Sequence, residues 1–391
     1  MGDLLRASEV VASGAAIESV QEVDGAIPWT VGGRCDVWNH VEAAMALLVS
    51  GRMAAVDRAW AWVRRTQRPD GSWPMKVVRG VVEDASGETN MAAYVAVGVW
   101  HHWLVRRDLA FVAAHWPVVR RALDFVCGLQ LRFGGIAWSQ EWHHGEPGRV
   151  NHEALLAGSA SSHHALRAGL SLAELLDDPQ PEWELSAGRL GHALREHRDR
   201  FLDKSTFSMD WYYPVLGGAV RGEAGRALID SRWSDFVVPG LGVRCVDTNP
   251  WVTGAETCEL ALALDALGDR DRAHRLFADA QHLRRPDGSY WTGYVYADQV
   301  SWPAEHTTFT TAAALLAHDA MAEITGGADL VRGTALVPDP QPLGLECGCA
   351  SRPTQPTQPT RSPAAPEDRS RTRSEPTASR SANDPEASAR R

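Results

Sequence analysis

Trp60-Ala-Trp62-Val63-Arg-Arg-Thr-Gln67-Arg-Pro-Asp70-Gly71-Ser72-Trp73 reads as the end of an amphipathic helix, a glutamine, a glycine turn and a tryptophan. The same order returns as Phe125-Val126-x3-Gln130-x4-Gly135-x2-Trp138 and as Phe277-x3-Gln281-x6-Gly288-x2-Trp291. A unit that recurs in this way is the signature of a repeat architecture. A glutamine amide and an indole N–H can tie the end of one helix to the turn that follows it. The repeat therefore speaks to the scaffold before it speaks to chemistry.

Outward from these units the chain reads as helices over 39–50, 53–67, 90–107, 117–131, 153–176, 182–201, 255–267, 270–281 and 306–323, with weaker signals over 3–21 and 219–230. Residues 91–105 are apolar almost all round, which predicts burial on both sides. Residues 53–67 and 270–281 carry Arg and Asp along one face, which predicts an outer layer. Pro117 predicts a new helix after a short one over 108–115. Strand signals are short and scattered. About eleven or twelve helices, alternately buried and half-polar, predict an all-α ring of paired helices. Its inner helices line a central cavity and its outer ones shield them.

Of 391 residues, 44% are hydrophobic and 23% charged, the balance of a globular protein. The net charge of −10 argues against a nucleic-acid partner. No run approaches the ~18 apolar residues of a membrane span. Glu9, Glu18, Glu22 and Asp24 leave no compact apolar block for a secretion signal. The six cysteines (35, 127, 245, 258, 347 and 349) show no disulfide framework. A cytoplasmic location is the default expectation. From Pro338 to Arg391 the chain is rich in Pro, Ser, Thr and Arg and has no aromatic residue. That composition predicts a disordered tail (338–391) behind a single folded domain (1–337).

Sixteen Trp stand against 6 Tyr and 8 Phe. Broad apolar rings with one N–H suit sugar stacking, an apolar ligand cavity or helix packing. The segment from Glu42 through Trp60, Gln67 and Gly71 to Pro74 resembles the six-hairpin (α/α)6 toroids. Two superfamilies share that toroid: the glucoamylase-like glycosidases, and the terpenoid cyclases with the protein prenyltransferases. The resemblance spans roughly residues 30–325. Four further stretches are similar to the glycosidase side. Val99–Val112 followed by Trp116–Phe125 resembles the segment that closes one hairpin and opens the next. Gly134-Gly135-Ile136-Ala137-Trp138-Ser139-Gln140-Glu141 resembles the Gly-x-Trp-Glu motif that presents the general acid, with two or three extra residues before Glu141. The helix beginning near Glu153 is similarly placed. Trp302-Pro303-Ala304-Glu305-His306 precedes the last inner helix, where glucoamylases keep the general base.

Hydrolysis of a glycosidic bond needs one carboxylic acid to protonate the leaving oxygen and a second carboxylate to activate water. The resemblance assigns these roles to Glu141 and Glu305. Trp138 and Trp142 flank Glu141, and apolar walls would keep it protonated. Asp36, in Arg34-Cys35-Asp36, stands where glucoamylase-like enzymes hold sugar; a helix cap is the plain alternative. Trp73 and Trp138 are candidate sugar platforms. Asp210-Trp211-Tyr212-Tyr213 and Asp247-Thr248-Asn249-Pro250-Trp251 each set a carboxylate beside aromatics, and His306 adjoins Glu305. Glu83, Asp84 and Glu88 read as helix-capping acids.

The paired histidines 101–102, 143–144 and 163–164 point different ways on a helix and chelate poorly. No metal and no cofactor is implied. The isoprenoid side of the resemblance is the alternative, yet no Asp-x-Asp-Asp cluster is present. Cys245, Asp247 and Glu256-Thr-Cys258 only approximate zinc-ligand spacing. A non-catalytic binding toroid is the third reading. The sequence thus predicts an (α/α)6 glycoside hydrolase-like enzyme acting on a small or oligomeric glycoside, with an inverting mechanism and an oligosaccharide or small molecule as its partner.

Overall fold

The computed structural model describes residues 4–340. Thirteen helices of the described residues form six hairpins, each an outer part followed by an inner helix: α1 (Ala7–Val20) with α2 (Val37–Val49), α3 (Met53–Thr66) with α4 (Thr89–Arg106), α5 (Leu109–Gly128) with α6 (Leu156–Leu175), α7 (Pro181–Glu196) with α8 (Ser208–Leu216), α9 (Gly222–Ser231) and the short α10 (Trp233–Phe236) with α11 (Gly254–Ala266), and α12 (Arg270–Ala280) with α13 (Thr308–Ala322). A last short helix, α14 (Ala328–Arg332), follows. Each inner helix packs on the next, and α13 returns to α2. The ring is therefore closed, and the folded chain is an all-α toroid.

Burial follows the two helix types. In α2 every residue from Val37 to Leu48 is buried, and in α11 every residue from Gly254 to Asp265. In α3 only Ala55, Val56, Ala59, Trp60, Trp62 and Val63 turn inward, while Arg64 and Arg65 face water. An inner helix has neighbours on all sides, so its sequence loses the 3.6-residue alternation that an outer helix keeps.

The glutamine–glycine grammar holds the outer layer together. Gln67 donates from Nε2 to the Gly71 carbonyl (3.1 Å) and to the Val118 carbonyl of α5 (2.9 Å). Gln130 does the same to Gly134 (3.0 Å) and to Ser186 of α7 (2.9 Å). Trp73 donates its indole N–H back to Val63 (3.1 Å). A fourth copy escapes the sequence reading: Gln21 donates to Gly25 (3.1 Å) and to Ala55 of α3 (3.0 Å), and Trp29 follows Gly25 at the spacing that separates Gly134 from Trp138. Gly25, Gly71, Gly134 and Gly288 all have positive φ. The first three press against the carbonyls of Arg58, Arg121 and Arg189 on the next outer helix. Gly288 presses on Ala12 and Ser13 of α1, and Ser13 donates its hydroxyl to the Gly288 carbonyl (2.7 Å). The last repeat thus docks on the first helix and seals the ring.

Three expectations change. Helix α5 runs through Pro117 without a break. Residues 208–216, expected to precede a helix, are themselves the fourth inner helix; its nine residues contain Pro214 and aromatics, which hides the period. Asp339, just inside the expected tail, is anchored by Arg195 (2.8 Å) and by His163 (2.9 Å). The rest of that expected tail, with Cys347 and Cys349, lies outside the described residues. Among the described residues no helix is long and apolar enough to cross a membrane.

Eleven short strands form three antiparallel sheets, all in segments that lead into inner helices. They are β1 (Arg34–Cys35), β2 (Lys76–Val78) and β3 (Val81–Asp84); β4 (Gly87–Glu88), β5 (Ser139–His143) and β6 (Glu146–Asn151); and β7 (Val237–Val238), β8 (Gly242–Arg244), β9 (Trp251–Thr253), β10 (Gly293–Val295) and β11 (Val300–Ser301). Pairing of β1 with β2, β4 with β5, and β9 with β10 joins successive hairpins. The Phe207–Val246 bridge joins the fourth to the fifth. Thr308 donates its backbone N–H to Trp29 (2.8 Å) and joins the sixth to the first. The N-terminal end of the inner ring is therefore a laced rim.

Candidate active site at the mouth and axis of the ring

Asp36 caps α2 at this rim. It accepts from the Asn39 backbone N–H (2.9 Å), the Asn39 amide (2.8 Å) and the Trp29 indole (2.7 Å), and it is buried. The capping role is thus real. Glu88, at the start of α4, lies within electrostatic reach of this carboxylate and is half-buried. Burial, and then the charge of Asp36, raise its pKa to about 8, against a smaller opposing effect of the Asn90 hydrogen bond. Glu256 opens α11 beside the thiol of Cys245. Trp38 packs on Tyr94 (ring centroids 4.6 Å apart) and on Phe309 (5.5 Å), which touches Trp29 (5.7 Å). Carboxyls and aromatic side chains thus stand together near the starts of the inner helices.

Below the rim the inner helices line a cavity of about 70 Å³. Its layers follow from helix register. The sixth residues of α2, α4, α6, α8 and α11 are Glu42, Tyr94, Ser161, Tyr213 and Glu259, and all five line it. At 1.5 Å per residue they form a polar belt about 7.5 Å below the helix starts. The ninth residues of the six inner helices are Met45, Val97, His164, Leu216, Leu262 and Leu316, one turn deeper, and all six line it too. This second belt is apolar except for His164. His101, Asp319, Gly327, Leu330 and Val331 line its lower end.

The polar belt is electrostatically loaded. Glu259 accepts from the hydroxyls of Tyr213 (2.7 Å) and Tyr212. Burial outweighs these bonds and lifts its pKa to about 8. Glu42 is pushed up as well, by burial first and then by Glu259 and Asp36. Both therefore hold a proton well above the usual carboxylate range. Glu42 Oε2, the Trp38 indole N–H, Nδ1 of His101 and His164, and one oxygen of Asp319 have no partner within the protein. Buried polar atoms are seldom left so, and these all belong to residues that line the cavity.

The residues singled out by sequence fall into two groups. Asp36, Glu88, Trp138, Glu141, Asp210, Asp247, Trp251, Glu305 and His306 lie on the segments of the rim. Glu141 sits in the β5–β6 hairpin with its side chain 38% exposed, held by Arg149 (2.9 Å) and His143 (3.2 Å). Those bonds lower its pKa, the reverse of the expected rise. Trp142, expected to wall it, instead lies under the Arg68 guanidinium (4.4 Å). Glu305 is exposed. Its neighbour His306 meets Trp291 edge-on (5.8 Å). Asp210 accepts from the Ala157 N–H at the start of α6 (3.2 Å), and burial raises its pKa to about 6. Asp247 pairs with Arg232 (2.6 Å). Trp251 donates to the Trp302 carbonyl (2.8 Å), and the two indoles meet edge-to-face at the rim with Trp302 47% exposed.

Trp73 and Trp211 belong to the wall. Trp73 is 2% exposed with its N–H bound to Val63, so no ring face is open to a sugar. Trp211 stacks on Phe236 (5.1 Å) and donates to Leu228 of α9, on the outer side of its helix. The residues the sequence reading missed are Glu42 and Glu259. Carboxyls in the middle of apolar helices are their signal, since burial of an acid demands a reason. Among the described residues no three His, Cys, Asp or Glu converge on a point suited to a metal.

No family model matches the chain. It is 55% identical over 340 residues to the MMP endo-(1,4)-3-O-methyl-α-D-mannosidase of Mycolicibacterium hassiacum, covering 86% of this chain and 92% of that protein. Among solved structures it is similar to a mannosylglycerate hydrolase of Thermus thermophilus in complex with glucose (TM-score 0.60, 16% identity, 79% of this chain and 99% of that one). It is also similar to a D-mannose isomerase (TM-score 0.59, 10% identity, 80% and 96%). At those identities the two structures share the fold and no more.

Proposed function

The chain belongs to the family of the Mycolicibacterium hassiacum endo-(1,4)-3-O-methyl-α-D-mannosidase, and from that membership we propose that it hydrolyses internal (1,4) bonds of an oligosaccharide built from 3-O-methylmannose. The observation that carries the reading is the agreement of this kinship with a closed ring whose mouth gathers carboxyls and aromatic faces. Glycosidase membership sets it apart from the isoprenoid enzymes that share the toroid.

Two carboxyls divide the work. Glu88 is the favoured proton donor: burial keeps it neutral up to a pH of about 8, and it stands at the rim beside Asp36. It pairs across β4–β5 with Ser139, two residues from Glu141. Glu88 thus stands one strand away from the residue that the family motif designates, and it lacks the ion pair that keeps Glu141 charged. Glu305 is proposed as the base, ahead of the sixth inner helix. The acid gives its proton to the glycosidic oxygen as the C1–O bond breaks. Glu305 takes a proton from the water that attacks C1 on the opposite face. The product anomer is then inverted. Asp36, Trp138, Asp210, Asp247, Trp251 and His306 are proposed to hold sugar units along the rim.

The test is hydrolysis of 3-O-methylmannose oligosaccharides followed by proton NMR, which reads cleavage position and product anomer together. Glu88→Gln, Glu141→Gln and Glu305→Gln are compared with the parent. Internal cleavage, an inverted first product, and large losses in Glu88→Gln and Glu305→Gln are expected. An inactive parent sinks the reading, and full activity of Glu88→Gln with loss in Glu141→Gln returns the acid role to Glu141.

A further inference from the structure

The well beneath the rim has a composition that a plain sugar does not require. Every hydroxyl of a sugar carries a hydrogen to donate, and five of the six side chains of the second belt, Met45, Val97, Leu216, Leu262 and Leu316, offer it no acceptor; His164 in that belt, with His101 and Asp319 beyond it, is the exception. A methyl ether differs on both counts. Its oxygen only accepts, and its methyl group prefers apolar contact. The two belts match that pattern in order of depth: polar side chains first, apolar side chains one helical turn deeper.

We propose that the lower belt of the axial well is the pocket for the O-methyl group of a bound sugar, with the belt of Glu42, Tyr94, Tyr213 and Glu259 above it addressing the ether oxygen and its ring neighbours. The inference rests on the hydrolase reading for its sugar and adds the residues that read the methyl. Three further observations support it. The cavity of about 70 Å³ has room for roughly five waters, and so for a methoxy group without moving a side chain. The Trp38 N–H and Glu42 Oε2 face it with no protein partner, although both residues are more than nine-tenths buried. Burial raises the pKa of Glu259 to about 8 and pushes that of Glu42 well above the usual carboxylate range. A neutral carboxyl donates a hydrogen bond to an ether where a carboxylate would repel it.

Binding of two monosaccharides by the intact protein tests this without turnover. Methyl 3-O-methyl-α-D-mannopyranoside is compared with methyl α-D-mannopyranoside by titration calorimetry or ligand-observed NMR. The parent should prefer the methylated sugar by about ten-fold or more, the range a hydrophobic pocket gains per methyl-sized group. Leu316→Phe fills the lower belt from α13, and Leu216→Phe fills it from α8. Each should bring the preference to near unity while affinity for the unmethylated sugar changes by no more than about two-fold. Circular dichroism confirms that at least one variant is folded. A parent without preference, or a preference that survives in a folded variant, overturns the proposal. A protein that binds the methylated sugar in this way yet cleaves no oligosaccharide would leave the pocket standing and remove the hydrolase reading.

Discussion

Glu88, Glu42 and Glu259 show how little a side chain's identity says until its surroundings are known. Each is a glutamate at the start or in the middle of a helix, and each has its pKa raised chiefly by burial. For Glu88 the consequence is catalytic. In the proposed mechanism the protonated form does the work, so kcat/KM of the parent should fall as pH rises through about 8. Glu88→Gln should lose about 10²–10⁴ in kcat with an unchanged melting temperature. A pH–rate profile and a melt of the same samples check both. For Glu259 the consequence is also one of stability. The folded protein keeps this proton to a pH of about 8, whereas the unfolded chain releases it near 4.5. Between those values the native state binds more protons, so its stability falls as pH rises. The contribution is whole below the lower value and lost through the upper one. Glu259→Gln removes the titration and should flatten this slope, with a gain over the parent at pH 8 that is absent at pH 4. Equal slopes in urea titrations across that range would refute the assignment. The legibility of the site follows the same line. Asp36 could be found because a cap has a local signature, whereas the deep pair could not, because nothing local says which face of an apolar helix meets the axis.

At the scale of elements, the turn that follows each outer helix is the unit that repeats. Gly71 has a positive φ, and a methyl group there would overlap the Arg121 carbonyl of α5. Gly80 also has a positive φ but faces open space. Gly71→Ala should therefore cost the left-handed strain of about 1–3 kcal/mol and an overpacking term of similar size. Gly80→Ala should cost only the strain. Chemical denaturation of the two variants separates these contributions, and equal losses would show that the turn does not clamp the next helix. The glutamine and glycine of this unit stand close together in sequence, and for that reason the outer layer was readable. The fourth copy at Gln21, Gly25 and Trp29 went unseen because the helix before it gives only a weak signal over 3–21. Helix α8 went unseen because nine residues with Pro214 are too few to establish a period.

For the molecule as a whole, closure is the property that creates a site. The contacts of Gly288 with α1, the Ser13–Gly288 hydrogen bond and the Arg284–Glu9 ion pair (3.1 Å) join the two ends of the folded chain. Removing residues 1–21 should open the ring, expose the α12–α13 flank and broaden or abolish the cooperative unfolding transition, as a urea melt would reveal. An unaltered melt would mean that the first helix only decorates a ring closed by other means. The sequence by itself determined the helical class, the division of most helices into inner and outer, and the toroid. These are written in periodicity, in turn chemistry and in short motifs, all of which act between near neighbours along the chain. Only the tertiary structure decided which carboxyls share a chamber. It tied Glu141 to Arg149, buried Trp73 in the wall and brought Glu42 of the first hairpin within electrostatic reach of Glu259 of the fifth. That juxtaposition depends on the rotation of six helices about a common axis, which no stretch of sequence encodes alone.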